Sequence, residues 1–235
     1  MVLFGTIVNG LAIIIGAWLG MKFKKFSTEM KDTVMKAIGL AVVVLGINMA
    51  LKGEEFLIVI FSLALGGVLG EKWNIEGKLN EMGQAIERKM KRNTEGKIAE
   101  GFVAATLLFV VGAMAIIGAI DSGLRQDHSV LLTKSVLDGF SSIVFAATMG
   151  IGVMFSAVPV ILYQGAIALS ATFIVQFIPQ QFIDSFISEV TAVGGIMIIA
   201  IGLNILGIPK IRVANLLPAI LITILFVIGK ILWFS

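Results

Sequence analysis

Asp138 stands inside an apolar run, and Lys134 lies four residues before it. At that spacing two side chains share one face of a helix and can pair. A carboxylate at the centre of a bilayer span costs ~2.5–3.5 kcal/mol on insertion scales, and less near the interface. Two chemistries fit the pair. One is a cation or proton site in the interior of a helix bundle. The other is a self-neutralised structural pair ~10 Å from the outer end of its span, at ~1.5 Å per residue. Five amides also fall in apolar runs: Asn9, Asn48, Gln164, Asn204 and Asn215. Each brings donors and acceptors into a medium without water. They suit a path for a polar uncharged substrate or carbonyl-type ligands for an ion. They equally suit interhelical hydrogen bonds, worth ~0.6 kcal/mol on average. Glu189 and Thr191 precede Gly194-Gly195, where they either line an entrance or meet water at the interface.

Other chemistries lack their residues. There is no cysteine for thiol or disulfide chemistry, and His128 alone cannot build a histidine metal site. The glycine-rich stretches do not precede Lys-Ser or Lys-Thr as a phosphate-binding loop requires. No nucleophile–base set or hydrolytic carboxylate pair is evident, so the chain is expected to be no enzyme and to hold no cofactor or metal. Lys and Arg are not interleaved with aromatics on a polar face, which excludes nucleic acid as a partner.

The elements that would carry these residues follow from composition. Of 235 residues 58% are hydrophobic and 14% charged, against ~25% charged in ordinary soluble domains. Too few charges remain to coat a globule in water, so lipid is the expected solvent and partner. Apolar runs between polar breaks predict an all-α integral membrane protein with eight spans near 2–21, 37–51, 55–70, 100–120, 131–155, 158–178, 187–207 and 213–234. The second and third are short against the ~20 residues that cross a bilayer. Either they extend into the flanking polar turns, or they tilt little, or they pack against other helices. Lys22, Lys24 and Lys25 follow the first run instead of preceding it, so that run is expected to be a permanent span and not a signal peptide. Residues 1–235 are read as a single transmembrane domain: spans one to three in 1–73, an extramembrane segment in 74–99, and spans four to eight in 100–235.

Charge placement tests the layout. With eight spans, 14 of the 18 Lys and Arg fall on one side. They follow span one (Lys22, Lys24, Lys25, Lys31, Lys36), span three (Lys72, Lys78, Arg88, Lys89, Lys91, Arg92, Lys97) and span seven (Lys210, Arg212). Lys52, Arg125, Lys134 and Lys230 do not. Basic residues mark the cytoplasmic face, so the expected location is the cell (cytoplasmic, inner) membrane with both termini outside. In 74–93, Ile75, Leu79, Met82, Ile86 and Met90 recur at helical spacing among charges, with Trp73 at the edge. This predicts one amphipathic helix on the cytoplasmic surface of the membrane or of the protein.

Two glycine patterns recur. Gly5 and Gly16-Ala17 in span one match Gly101 and Gly112-Ala113 in span four. Gly39 and Gly46-Ile47-Asn48 in span two match Gly195 and Gly202-Leu203-Asn204 in span seven. Both pairs would run in opposite directions, as in an inverted-topology repeat, although they imply different repeat units. The 26 glycines also suit close helix packing or a homo-oligomer. Gly194-Gly195 and Pro159 are places where a helix could instead break and free its carbonyls.

Four segments carry a resemblance: Gly5-Thr6-Ile7-Val8-Asn9; Gly39-Leu40-Ala41 through Gly46-Ile47; Lys134 through Phe140; and Ile211 through Ala219. Gly150-Ile151-Gly152 through Tyr163-Gln164-Gly165 fits as well. On these the chain resembles, end to end, the DUF554 family of prokaryotic membrane proteins, the YqgA/YdfK-like group. The resemblance implies a multi-spanning membrane protein of unknown function and transfers no site residues. From the residues themselves the expected function is a small secondary transporter or permease of an unknown small molecule or ion. The alternatives are a passive channel or a non-transporting membrane protein that organises partners or lipids.

Overall fold

A computed structural model describes residues 1–22, 28–89, 97–177, 183–208 and 210–234, and among these every regular element is helical. In chain order the helices are α1 (Phe4–Lys22), α2 (Thr28–Ala50), α3 (Phe56–Trp73), α4 (Ile75–Lys89), α5 (Lys97–Val110), α6 (Ala113–Leu124), α7 (Ser129–Met149), the single turn α8 (Gly152–Phe155), α9 (Ala157–Phe177), α10 (Ile183–Ile205) and α11 (Pro218–Phe234), with a 3-10 turn at Val213–Leu216. Seven are long and apolar enough to cross a membrane. The bent pair α5–α6 makes an eighth if it is one span. Outward-facing residues such as Leu11, Ile15, Leu40, Val44, Phe61, Val136, Phe140, Leu162 and Leu225 are apolar, as a hydrocarbon surround demands. Lys24, Lys25, Met90, Lys91 and Arg92 lie outside the described residues.

Several expected boundaries move. The second span is not short: α2 continues N-terminally through Asp32 and Lys36, and its apolar stretch runs Asp32–Ala50, 19 residues. The run 131–155 divides at Gly150, which has φ +78°, a backbone that side-chain-bearing residues rarely adopt. The run 100–120 is two helices bent by 60° at a break containing Gly112. Gly101 abuts Met149 while a Cβ on Gly112 would meet nothing within 4 Å, so these two glycines are not used like Gly5 and Gly16. Pro159 lies in the first turn of α9, where it interrupts no ladder. Gly194-Gly195 lies within unbroken α10.

The chain forms two compact units. The first comprises Met1–Val34, Lys78–Val110 and Met114–Phe173. Its spine is α1 running parallel to α7 at backbone contact. A Cβ on Gly16 would stand 2.1 Å from the Gly139 carbonyl oxygen, and one on Gly20 would stand 2.1 Å from that of Ile143. Gly123 meets the Ala168 carbonyl and Gly152 that of Ile98 in the same way. α7 starts beside Asp127, whose carboxylate accepts the Ser129 N–H at 2.9 Å. That bond, with the Ser129 hydroxyl, holds the Asp127 carboxyl below its ordinary range. On α4, Gly83 lies against Ala99 and Glu87 is buried, while Met82 is exposed.

The second unit comprises Met35–Gly77, Val111–Ala113 and Ile174–Ser235. Here α2 and α10 cross antiparallel through reciprocal glycines. Cβ atoms on Gly39 and Gly46 would meet the carbonyls of Gly202 (3.2 Å) and Gly195 (2.7 Å), and the converse contacts are 2.8 and 2.7 Å. α3 and α11 are antiparallel too, with Gly66 against Ala219, Gly70 against the Asn215 carbonyl, and Lys230 bonded to Glu55 at 2.6 Å.

Backbone contact at these glycines leaves no space for a methyl. Gly46→Ala and Gly16→Ala are expected to lower stability by about 1–3 kcal/mol, the range for overpacking. Gly229→Ala, where nothing lies within 4 Å of a new Cβ, is expected to be neutral or mildly stabilising. Thermal unfolding of the purified variants in detergent reads the difference.

Candidate functional site

Close approach of α1 and α7 lets short polar side chains bond between them. Asn9 Nδ2 donates to Asp138 Oδ2 at 3.0 Å and faces Gln164 Oε1 of α9 at 3.3 Å. Lys134 Nζ donates to the same Asp138 oxygen at 2.5 Å and lies 6.0 Å from the Phe109 ring centroid. Asn9 and Gln164 have no exposed surface, and Lys134 and Asp138 are each 6% exposed. The cluster is therefore buried within the first unit.

The charges cancel within the cluster, but its hydrogen bonding does not close. Asp138 can only accept, so it fixes the Asn9 amide with its nitrogen inward. Gln164 then turns its oxygen to that nitrogen. Among the described residues Asn9 Oδ1 and Gln164 Nε2 have no partner, nor do the buried hydroxyls of Thr6 and Ser142. A polar atom buried without a partner costs about 1–3 kcal/mol. Thr6 precedes Asn9 by three residues and Ser142 follows Asp138 by four, so each shares a helix face with a cluster member. Sequence reasoning passed over both, although that spacing was the signal to find them. Ser135 donates to its own helix at Leu131.

The remaining candidates lie in the second unit, in other roles. Glu189 is fully buried, where the sequence reading placed it in water or at an entrance. Its Oε1 accepts the N–H groups of Glu54 and Glu55 at 2.8 Å each, satisfying donors at the start of α3. Thr191 bonds Ile187 of its own helix at 2.6 Å. The Asn204 amide brackets Ile211, donating to its carbonyl at 2.7 Å and accepting its N–H at 2.8 Å. Asn215 Oδ1 accepts the Glu76 N–H at 2.8 Å, and Glu76 Oε2 accepts that of Ala214 at 3.1 Å. Burial pushes the Glu76 carboxyl up from its ordinary value, against the pull of the Ala214 N–H and Arg212. Asn48 is exposed. Its equivalence with Asn204 thus stops at position in the sequence, because only Asn204 closes a turn.

Among the described residues no group of three or more metal-ligating side chains occurs. The cluster can orient a polar solute or pass a proton or cation along acceptors. It presents no nucleophile activated by a base.

The family model described as "Protein of unknown function (DUF554)" matches residues 4–228. The Bacillus subtilis (strain 168) "Uncharacterized membrane protein YdfK" is 39% identical over 233 residues, covering 96% of this chain and 97% of that protein. The Escherichia coli (strain K12) "Uncharacterized protein YqgA" is 27% identical over 236 residues, covering 98% and 99%. No solved structure matches.

Asp138→Leu alone leaves the Lys134 ammonium buried without its counterion and is expected to cost about 3–5 kcal/mol. Combining it with Lys134→Met removes both charges and is expected to recover most of that loss. Unfolding free energies of the two singles and the double give the coupling. Strict additivity would show that the two groups do not support each other.

Proposed function

We propose that this chain, a multi-pass membrane protein that belongs to the DUF554 family, is a small secondary transporter or permease whose path passes the Lys134–Asp138 cluster. One observation carries the reading: a buried site around an ion pair in which amides and hydroxyls keep hydrogen-bonding capacity unused by the described residues. Among the described residues single unpartnered atoms also occur at Glu189 Oε2 and Ser62 Oγ, but only here do several lie beside an ion pair, where apolar side chains of the same volume would pack without their cost. A solute exchanging its water for these groups would offset that cost.

The reciprocal contacts of α2 with α10 support an inverted pair of halves, as alternating access between two sides of a membrane requires. The basic residues support an orientation with Lys22, Lys72 and Arg212 at the cytoplasmic face and both termini outside. Lys22, stacked 3.6 Å over Trp18 at the end of α1, suits that interface. α4 then lies on the cytoplasmic side, its Gly83 and Glu87 face turned to protein and Met82 outward. On this reading the protein performs no covalent chemistry.

In proteoliposomes screened across ions and small metabolites, Asp138→Asn is expected to abolish movement of whatever solute the wild type carries while membrane insertion stays intact. Lys134→Gln combined with Asp138→Asn, which restores charge balance, is expected to stay inactive. Undiminished flux in both variants would remove the cluster from the path. The chain contains no cysteine, so single cysteines at Lys24 and Lys91 report sidedness without background. Both are expected to react with an impermeant maleimide from the cytoplasmic face only, and labelling from opposite faces would overturn the layout.

A further inference from the structure

Asn9 and Gln164 touch each other 155 positions apart, and each is followed by glycine: Asn9-Gly10 and Gln164-Gly165. Nearly the same register, one residue longer, relates Gly39, Gly46 and Asn48 to Gly195, Gly202 and Asn204. These matches set spans one and two beside spans six and seven, a different pairing from the glycine match between spans one and four. The packing of α1 against α9 fits it. Leu3 lies near Gly165 and Ile161 near Gly10, so the helices are antiparallel and each glycine receives the other helix's side chain. Asn9 and Gln164 thus occupy equivalent places in two opposed helices and meet where those helices face each other. The charged pair comes from α7, which lies outside the correspondence, so charge reaches the amide couple from one side only.

That asymmetry sets the polarity of the couple. Lys134 keeps the Asp138 carboxylate neutralised, Asp138 orients Asn9, and Asn9 orients Gln164. What remains of the couple is one unused acceptor, Asn9 Oδ1, and one unused donor, Gln164 Nε2, both fully buried, with the Thr6 and Ser142 hydroxyls, which can serve as either, also unused. A charged ligand would bring an uncompensated charge into a site already neutral, at the cost of desolvating it. An uncharged group carrying both a donor and an acceptor would satisfy both free atoms. We propose that the Asn9–Gln164 couple is a recognition site for small uncharged solutes bearing a carboxamide-like donor–acceptor group. The inference names the substrate class for the transport path proposed above and rests on that reading for its biological use.

The test is ligand-dependent thermal stability of the full-length protein in detergent. The probes are acetamide, propionamide and nicotinamide, each beside its carboxylate: acetate, propionate and nicotinate. A ligand that binds only the folded state raises its melting temperature in proportion to occupancy. At least one carboxamide is expected to raise the wild-type melting temperature by several degrees more than its carboxylate. Gln164→Met keeps the volume and the Lys134–Asp138–Asn9 bonds but removes the free donor, and is expected to erase that difference. Asn48→Leu, an exposed amide outside the site, is expected to preserve it. Asn9→Ser, a smaller change, is the second variant should Gln164→Met fail to fold, and is also expected to erase it. Carboxylates shifting the protein as much as carboxamides, a shift surviving in the site variants, or no carboxamide shift at all would each overturn the proposal. Flux of an ion without carboxamide binding would discard this inference and keep the transporter. Carboxamide binding without flux would keep the site and discard the transporter.

Discussion

Helices in hydrocarbon gain nothing from hiding apolar surface from one another, since lipid tails are as apolar as leucine, so what holds them together is close contact and internal hydrogen bonding. Both resources appear here at the same places. Where α1 meets α7, glycine lets one backbone rest on the carbonyls of the other, and only at that separation do side chains as short as Asn9 and Asp138 reach each other. The polar cluster is thus a product of the glycine contact. Widening the α1–α7 gap by a methyl group would leave a buried carboxylate with one donor fewer.

In the second unit the same constraint gives a different result. The glycines of α2 and α10 bring backbones together, but the polar residues nearby are spent on helix ends. Glu189 serves the start of α3, Asn204 the turn after α10, and Asn215 with Glu76 the starts of α4 and α11. A helix terminus leaves unpaired N–H or C=O groups, which within or near a membrane have little water to turn to. This unit therefore spends much of its buried polarity on finishing its backbone, although Glu189 Oε2 and Ser62 Oγ have no partner among the described residues. In the first unit the unpartnered groups gather around one ion pair.

Much of the architecture is legible in the chain because most apolar runs are close to the length of a span and end at charged or polar breaks. The pairing of Lys134 with Asp138 is legible for a similar reason, being set by one turn of one helix. The meeting of Asn9 with Asp138 and Gln164 is not, because residues 129 and 155 positions away are selected by helix packing and no local rule names them. The bend between α5 and α6 is hidden since the apolar run continues unbroken through Gly112, and composition alone does not distinguish a break from a straight span. α2 outruns its apolar run, as an extension into the flanking polar turn predicts, because charged residues such as Asp32 and Lys36 continue a helix readily. Glu189 misled most. A glutamate at the edge of a span ordinarily meets water, and only the fold reveals the two amide groups that claim it.

The Glu189 contact also constrains motion. Its carboxylate belongs to α10, while both N–H groups it holds precede the first turn of α3. Sliding α10 along its axis by a single residue would strip both donors of the carboxylate oxygen they share. Any rearrangement that shifts α10 against the start of α3 has to break this pair of bonds or carry both partners along.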